Sequence, residues 1–438
     1  MRTLYNYQRQ VLDWAKAQSN PALFLSMRLG KTLTTIRLAN VWGARRILVV
    51  APLSVLASWE TELTLEGLSG IRVDRDTNPG QAFAVGGWWL VGYERLLRIP
   101  ELAKLPWDLV VADESTKLRN PQAQITKLMT RGFRDATHRV VLSGLPAPEG
   151  PLDYFSQFQF LHGSFLGCKN YWQFRNKYFR QKFYDWVPHP ATLTLVKSEV
   201  HTKGYVLSRH TAGIGEKKVY SRRMIPMNAE QKRLVKAIEN GFELGPEEQT
   251  NWTVVCSNWL SRVAGGHGYK WGLVNDGKAR QLVELLRGEL KAESVIVFFR
   301  YTREIMLCEE RLRRAGIRVA VMTGATHPTE RAERCRKFQE GRIPVLLLQI
   351  AIGKFGLNLA RASTAIYYSN SYSMENRAQS EDRIVHPEKR EPLLYIDLVT
   401  EGSIDEDLLD ALRTKRIESR FFLQKTLEKY LERTGLRA

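Results

Sequence analysis

The stretch Phe24-Leu25-Ser26-Met27-Arg28-Leu29-Gly30-Lys31-Thr32 joins a short apolar run, Ala22 to Leu25, to a helical pattern with Leu33, Ile36, Ala39 and Trp42 on one face. Strand, tight turn and helix start are what a nucleotide phosphate needs. Backbone N–H groups and the helix N-terminus hold the anion, Lys31 supplies a point charge, and the Thr32 hydroxyl can ligate Mg²⁺. The pattern G-x-x-x-x-G-K-[ST] asks for glycine at position 25, where Leu25 stands. Alone, the turn reads equally as a lysine-bearing helix cap, so the decision passes to the residues downstream.

Outward from this turn the first part of the chain alternates apolar strands and amphipathic helices. Upstream, Leu4-Tyr5-Asn6-Tyr7-Gln8 opens a helix, and the two-sided amide of Gln8 is suited to the Watson–Crick edge of adenine. Downstream, Arg46 to Pro52, Trp88 to Tyr93, Trp107 to Asp113 and Arg139 to Gly144 are continuous apolar runs of the buried parallel-strand type. Segments such as Leu53 to Leu63 and Ala123 to Met129 lie between them. This predicts a doubly wound parallel α/β domain over residues 1–160.

Residues 161–280 read as a helical, basic and aromatic insertion. Lys169 to Arg180 interleaves rings with cations and fits either an amphipathic packing helix or a surface that stacks on a nucleic-acid strand. Ser261 to Tyr269 reads as a glycine-rich connector. A second α/β series, 281–405, has strand-like runs at Ser294–Phe299, Arg318–Thr323, Pro344–Gln349, Thr364–Tyr368 and Leu394–Leu398, with no phosphate loop of its own. The tail, 406–438, reads as an amphipathic helix.

The chain of 438 residues carries 65 Lys+Arg against 46 Asp+Glu, a net charge of +19, which favours a polyanionic partner, nucleic acid ahead of anionic membrane. The cysteines Cys168, Cys256, Cys308 and Cys335 are scattered with no C-x-x-C pair, so neither a zinc site nor a disulfide framework is indicated. The first residues lack the apolar core of a signal peptide, and no apolar run approaches the ~20 residues of a membrane span. A soluble, cytoplasmic protein without membrane contact is expected.

Asp113-Glu114 ends the apolar run that starts at Trp107, at the edge of a parallel sheet where ligands bind. Phosphoryl transfer to water needs a metal to offset phosphate charge and a group to orient the water. Adjacent acids fit both roles: Asp113 towards Mg²⁺, Glu114 towards the water.

With these residues in place the chain resembles the superfamily-2 helicase core of the Swi/Snf-type DNA translocases, nearest to compact annealing-helicase-like and bacteriophage or bacterial members. Gln8 matches the adenine-reading motif and Met27-Arg28-Leu29-Gly30-Lys31-Thr32 matches motif I. Ala51 to Leu56 with Trp59 resembles motif Ia, Asp113 to Asn120 motif II, and Leu142 to Pro148 motif III. Val295 to Arg300 resembles motif IV, Gly353 to Leu359, including Gly356, motif V, and Gln379-Ser380-Glu381-Asp382-Arg383 motif VI.

The resemblance implies two RecA-like lobes with ATP in the cleft between them and DNA across both. Lys31, Glu114, Gln379 and Arg383 would carry catalysis, with Arg383 as an arginine finger in cis. Gln8, the motif I residues and Gly356 would contact ATP, and Thr32 and Asp113 would hold Mg²⁺. The partner would be duplex or branched DNA, held by sequence-independent phosphate contacts. The sequence leaves the oligomeric state open, a monomeric motor included.

Four positions depart from the family pattern. Arg28 and Lys354 stand for glycines, Thr116 for the usual His or Ala after Asp-Glu-x, and His386 for a second motif VI arginine that Lys389 or Arg390 would have to replace. Three readings follow: a DNA-dependent ATPase that translocates on duplex or branched DNA and remodels it, a strand-separating helicase of the same fold, or an ATP-gated DNA-binding clamp with little turnover.

Overall fold

The structure, a computed structural model, describes residues 2–78, 80, 84–182, 185–214, 217–240, 249–268, 272–354, 357, 359–386, 389 and 391–413. The chain divides into two compact units, Met1–Gly215 and Glu216–Ala438. Each is built on one parallel sheet.

The first lobe contains β1 (Ala22–Leu25), β2 (Arg46–Ala51), β3 (Gly70–Arg72), β4 (Gly87–Gly92), β5 (Leu109–Asp113) and β6 (His138–Leu142). A separate antiparallel hairpin follows, β7 (Phe179–Lys182) with β8 (Asp185–Pro188), and then β9 (Gly204–Leu207). The sheet order is β3-β4-β2-β5-β6-β1-β9, parallel throughout.

Why these segments are strands is visible in how they bury. On β2, Leu48 and Val50 enter one core layer while Ile47, Val49 and Ala51 enter the other. β5 splits the same way: Val110 and Ala112 against Leu109 and Val111. A sheet covered on both faces needs apolar residues at every position, which produces the continuous runs seen in the sequence. Because every strand is parallel, all carboxyl ends emerge on one edge.

The second lobe holds β10 (Lys218–Ile225), β11 (Val295–Phe299), β12 (Val319–Met322), β13 (Val345–Gln349), β14 (Thr364–Tyr367) and β15 (Leu393–Thr400), in the order β10-β15-β14-β11-β13-β12, again all parallel. Its two core layers alternate likewise, Val295, Val297 and Phe299 against Ile296 and Phe298.

The boundary between the two units falls at Gly215, inside the stretch 161–280 read from the sequence as an insertion, so that stretch contributes residues to both. Its two sheet strands lie at edges. β9 pairs only with β1, and β10 only with β15. Edge strands need no unbroken apolar run, and Lys218–Ile225 exposes Tyr220 and Met224. The expected C-terminal helix is described as Ile404–Arg413; residues 414–438 lie outside the described residues. No helix of the described residues is long and apolar enough to cross a membrane.

Candidate nucleotide-binding site

The phosphate loop runs from β1 into the helix Lys31–Val41. Gly30 caps that helix at φ 73° and ψ 38°, a left-handed conformation that costs an L side chain energy. Space excludes a side chain as well: a Cβ on Gly30 would stand 2.1 Å from Gln8 Nε2.

Gln8 is buried beneath the loop. Its Nε2 donates to the Leu29 carbonyl at 3.3 Å, and its Oε1 accepts from the Tyr5 backbone N–H at 3.0 Å. Expected to face adenine, Gln8 here also braces the loop backbone. Arg28, which stands where the family pattern has glycine, lies in the left-handed region that glycine adopts freely, φ 67°. For an L side chain that conformation costs roughly 1–2 kcal/mol of backbone strain. Met27 is clamped from two sides: Arg209 Nη1 donates to its carbonyl at 3.4 Å, and Gly144 approaches so closely that a Cβ there would meet Met27 Cγ at 3.2 Å. Ser26 N–H donates to Leu207 O at 2.9 Å, which ties the loop entrance to β9.

Lys31 Nζ donates to the Leu25 carbonyl at 3.0 Å. Thr32 occupies the first turn of the helix with partial exposure, and Thr34 and Thr35 turn their hydroxyls back onto the carbonyls of Gly30 and Lys31.

Asp113 ends β5, and β6 lies between β5 and β1. Its carboxylate is buried, with Oδ2 accepting from the Trp59 indole N–H at 2.8 Å and Oδ1 from the Glu114 backbone N–H at 2.8 Å. Burial pushes this carboxyl above its ordinary range, opposed by the Lys31 charge and those two hydrogen bonds. The Tyr93 hydroxyl donates to the Asp113 carbonyl at 2.8 Å. Glu114 follows in a left-handed conformation, φ 49° and ψ 54°, a strained geometry of the kind that aims a side chain at a ligand edge.

The loops after β5 and β6 are joined by a residue that sequence reasoning did not find. Gln157, fully buried on the helix Tyr154–His162, accepts from Ser115 Oγ at 2.6 Å. Its Nε2 donates to Pro146 O at 2.7 Å and to Asp153 O at 2.9 Å. The motif II and motif III loops therefore share one amide, a link that does not pass through Thr116.

In the second lobe the helix Met374–Glu381 presents motif VI. Gln379 is buried: its Nε2 donates to Glu375 at 3.0 Å, while its buried Oε1 has no partner among the described residues. Arg383 is 8% exposed. The helix itself is fastened by Arg377, which the sequence did not single out. Arg377 bonds Asp397 at 2.6 Å and Glu381 at 2.8 Å, and its guanidinium lies 3.5 Å from the Tyr367 ring centroid. Glu381 is bonded in turn by Tyr220 and Lys218. Lys389, offered as a substitute finger, instead donates to the carbonyls of Ala360 and Ala362 at 2.8 and 2.6 Å, so it anchors a loop. Arg390 and Gly356 lie outside the described residues, as does the side chain of Lys354.

A parallel sheet with a Gly-Lys-Thr loop, a buried Asp-Glu edge and a second parallel sheet bearing a Gln-x-x-x-Arg helix defines a class: the superfamily-2 helicase core of two RecA-like lobes. Residues 7–201 match the SNF2-related domain and residues 277–387 the helicase conserved C-terminal domain. The chain belongs to the Swi/Snf-type family of that class. It is 24% identical over 94% of its length to "Probable ATP-dependent DNA helicase CHR23" of Arabidopsis thaliana, and 24% identical over 94% to "ATP-dependent helicase brm" of Drosophila melanogaster. It spans 42% of the first relative's length and 29% of the second's. The Hef helicase domain of Pyrococcus furiosus, 13% identical, shares the fold with a TM-score of 0.55 over 93% of this chain and 97% of that one.

Proposed function

We propose that this chain is a DNA-dependent ATPase that uses ATP hydrolysis to translocate on duplex or branched DNA and remodel it. The observation that carries the reading is the Asp113 carboxylate, buried, hydrogen-bonded by Trp59 and stabilised in its charged form by Lys31, on the same sheet edge as the Gly30–Thr32 turn. A buried acid held beside a lysine above a phosphate loop has an obvious use in nucleotide hydrolysis and little in a helix cap.

The donor set suits Mg²⁺. One hydroxyl (Thr32) and one carboxylate whose oxygens each keep a lone pair after their 2.8 Å bonds match the sparse protein ligation this ion takes beside phosphate. Among the described residues there is no cluster of three or more His, Cys, Asp or Glu side chains that could hold a metal ion. When bound, the ion would offset charge on the β- and γ-phosphate oxygens.

The chain's own residues supply the rest. Lys31 exchanges the Leu25 carbonyl for phosphate oxygens. Glu114 accepts a hydrogen bond from the attacking water and orients it. On the second lobe, Arg383 and the Gln379 Oε1 that has no partner among the described residues are the groups the family resemblance assigns to the nucleotide. The +19 charge supports a DNA partner held through phosphates. We propose a cytoplasmic location, in keeping with four cysteines that are all free.

ATP hydrolysis measured with and without duplex DNA, for wild type and Glu114→Gln, tests the reading. It expects stimulation by duplex in the wild type and loss of turnover with retained ATP binding in the variant. A second reading, an ATP-gated clamp, is motivated by His386 at the position of the second arginine and by the engagement of Lys389 elsewhere. It predicts DNA binding that responds to ATP but negligible turnover.

A further inference from the structure

The helix Tyr171–Tyr178 and the β7–β8 hairpin stand outside both parallel sheets of the fold. Their rings divide into two populations. Phe174 and Phe179 are buried in the first lobe's core, together with Phe155 and Phe165. Trp172 leaves 48% of its surface exposed. The Arg175 guanidinium lies over the Trp172 ring at 4.5 Å and over the Trp186 ring of β8 at 3.8 Å.

Around this stack the charge is predominantly positive, with Asp185 of β8 the one acid in the sequence of residues 169–188. Residues 169–182 contain Lys169, Arg175, Lys177, Arg180 and Lys182 and no acidic residue. Lys177 and Arg180 are exposed.

A packing role explains the inner rings and the inner side of Trp186, which rests against the same core, and leaves the exposed Trp172 unexplained. A tryptophan recruited only to fasten the hairpin would be covered, since burial is what stabilises it. An exposed indole stacked on a cation, in a basic segment, has instead the two components of single-strand recognition: a π-face for a base and positive charge along the backbone path. Paired bases in a duplex hide their faces in the stack, so such a platform discriminates unpaired from paired DNA.

We propose that Trp172, Arg175 and Trp186, with Arg180, form a stacking platform for single-stranded DNA, separate from the nucleotide site, that engages the unpaired arm of a branched substrate. The proposal deepens the motor reading by naming the DNA structure preferred, and it rests on that reading for its role in remodelling. The platform itself binds without ATP.

The test is fluorescence anisotropy without nucleotide, using labelled oligo-dT, a blunt duplex, and the same duplex with two unpaired arms. Duplex-stimulated ATP hydrolysis is measured in parallel. Trp172→Ala is expected to weaken oligo-dT and forked-DNA binding by about 5- to 150-fold, the range of one lost base stack, with Trp172→Tyr restoring most of it. Blunt-duplex binding and duplex-stimulated hydrolysis stay within about 2-fold of wild type, below one such stack. Arg180→Glu, at an exposed strand position, weakens the same two ligands and lowers the salt dependence.

Oligo-dT binding that is undetectable in wild type, or indifferent to both variants, overturns the platform even if duplex-stimulated hydrolysis is intact. Selective loss of oligo-dT binding in Trp172→Ala, with no hydrolysis on any DNA in wild type, upholds the platform and removes the motor.

Discussion

Replacing Trp59 by phenylalanine deletes the pyrrole part of a buried indole and with it the N–H that Asp113 Oδ2 accepts at 2.8 Å. The ring is fully buried against Trp88, with centroids 5.9 Å apart, and phenylalanine keeps an aromatic ring in that layer. A hydrogen bond to a charged group contributes about 1.5–3 kcal/mol, so if the ionised Asp113 is what turnover requires, kcat/KM falls by roughly 10- to 150-fold.

Burial already pushes the Asp113 carboxyl up, and loss of a donor pushes it further. Activity that depends on the ionised form is lost as pH falls through that raised value, so the acidic limb of the pH–rate profile moves to higher pH in Trp59→Phe. The Mg²⁺ concentration giving half-maximal rate rises with it. Steady-state hydrolysis against pH and Mg²⁺, with near-ultraviolet circular dichroism to establish packing, measures all three. A folded variant with unchanged rate, acidic limb and Mg²⁺ midpoint refutes the assignment of Trp59 as the positioning residue for Asp113.

Four further outcomes follow from the same geometry. Gln157→Leu cuts the amide shared by Ser115 and Pro146; basal hydrolysis should persist while stimulation by DNA drops several-fold, whereas Gln157→Glu, unable to donate to Pro146, should behave like the leucine variant. Arg377→Met removes the cation that Asp397 takes at 2.6 Å and one of the two that Glu381 takes, Lys218 remaining at 3.1 Å, which predicts a loss of about 3–5 kcal/mol in urea unfolding of the second lobe. Gly30→Ala brings a Cβ to 2.1 Å from Gln8 Nε2 in a left-handed backbone; nucleotide affinity should fall, and Gln8→Ala in the same chain should recover part of it.

The last concerns pH and stability. Glu304 is fully buried, its Oε2 accepting from Ser369 and from the Tyr301 N–H, and desolvation above all lifts its carboxyl from 4.5 to about 7. The folded value exceeds the unfolded one, so this group's contribution is full below about pH 4.5 and is lost as pH rises through about 7. The second lobe should lose about 3 kcal/mol across that window. Urea midpoints at pH 5 and pH 8 should differ in wild type, and the Glu304-linked part of the difference should vanish in Glu304→Gln.

What could be read from the chain alone depended on how each element is buried. Strands covered on both faces, such as Leu109–Asp113 and Val295–Phe299, are apolar at every position and are legible directly. The edge strands Gly204–Leu207 and Lys218–Ile225 keep one side partly exposed and mix polar residues into the pattern, so the lobe boundary at Gly215 was hidden. The phosphate loop and Asp113-Glu114 are local motifs and were visible. Trp59 and Gln157 act on residues 54 and 42 positions away, and no spacing rule reports such contacts. Arg377 looked like one more helix arginine because its carboxylate Asp397 sits on another strand. The anchoring of Lys389 is hidden for the same reason: the carbonyls that hold it lie 27 and 29 residues away.

The central claim is that Asp113, Glu114 and the Lys31 turn hydrolyse ATP in response to DNA. Steady-state ATP turnover with and without saturating blunt duplex, in wild type and Glu114→Gln, measures it most directly. Turnover that rises at least about tenfold with duplex in the wild type and disappears in the variant is the predicted result. Wild-type turnover that no DNA changes, or a Glu114→Gln protein that hydrolyses ATP as fast as its parent, contradicts it.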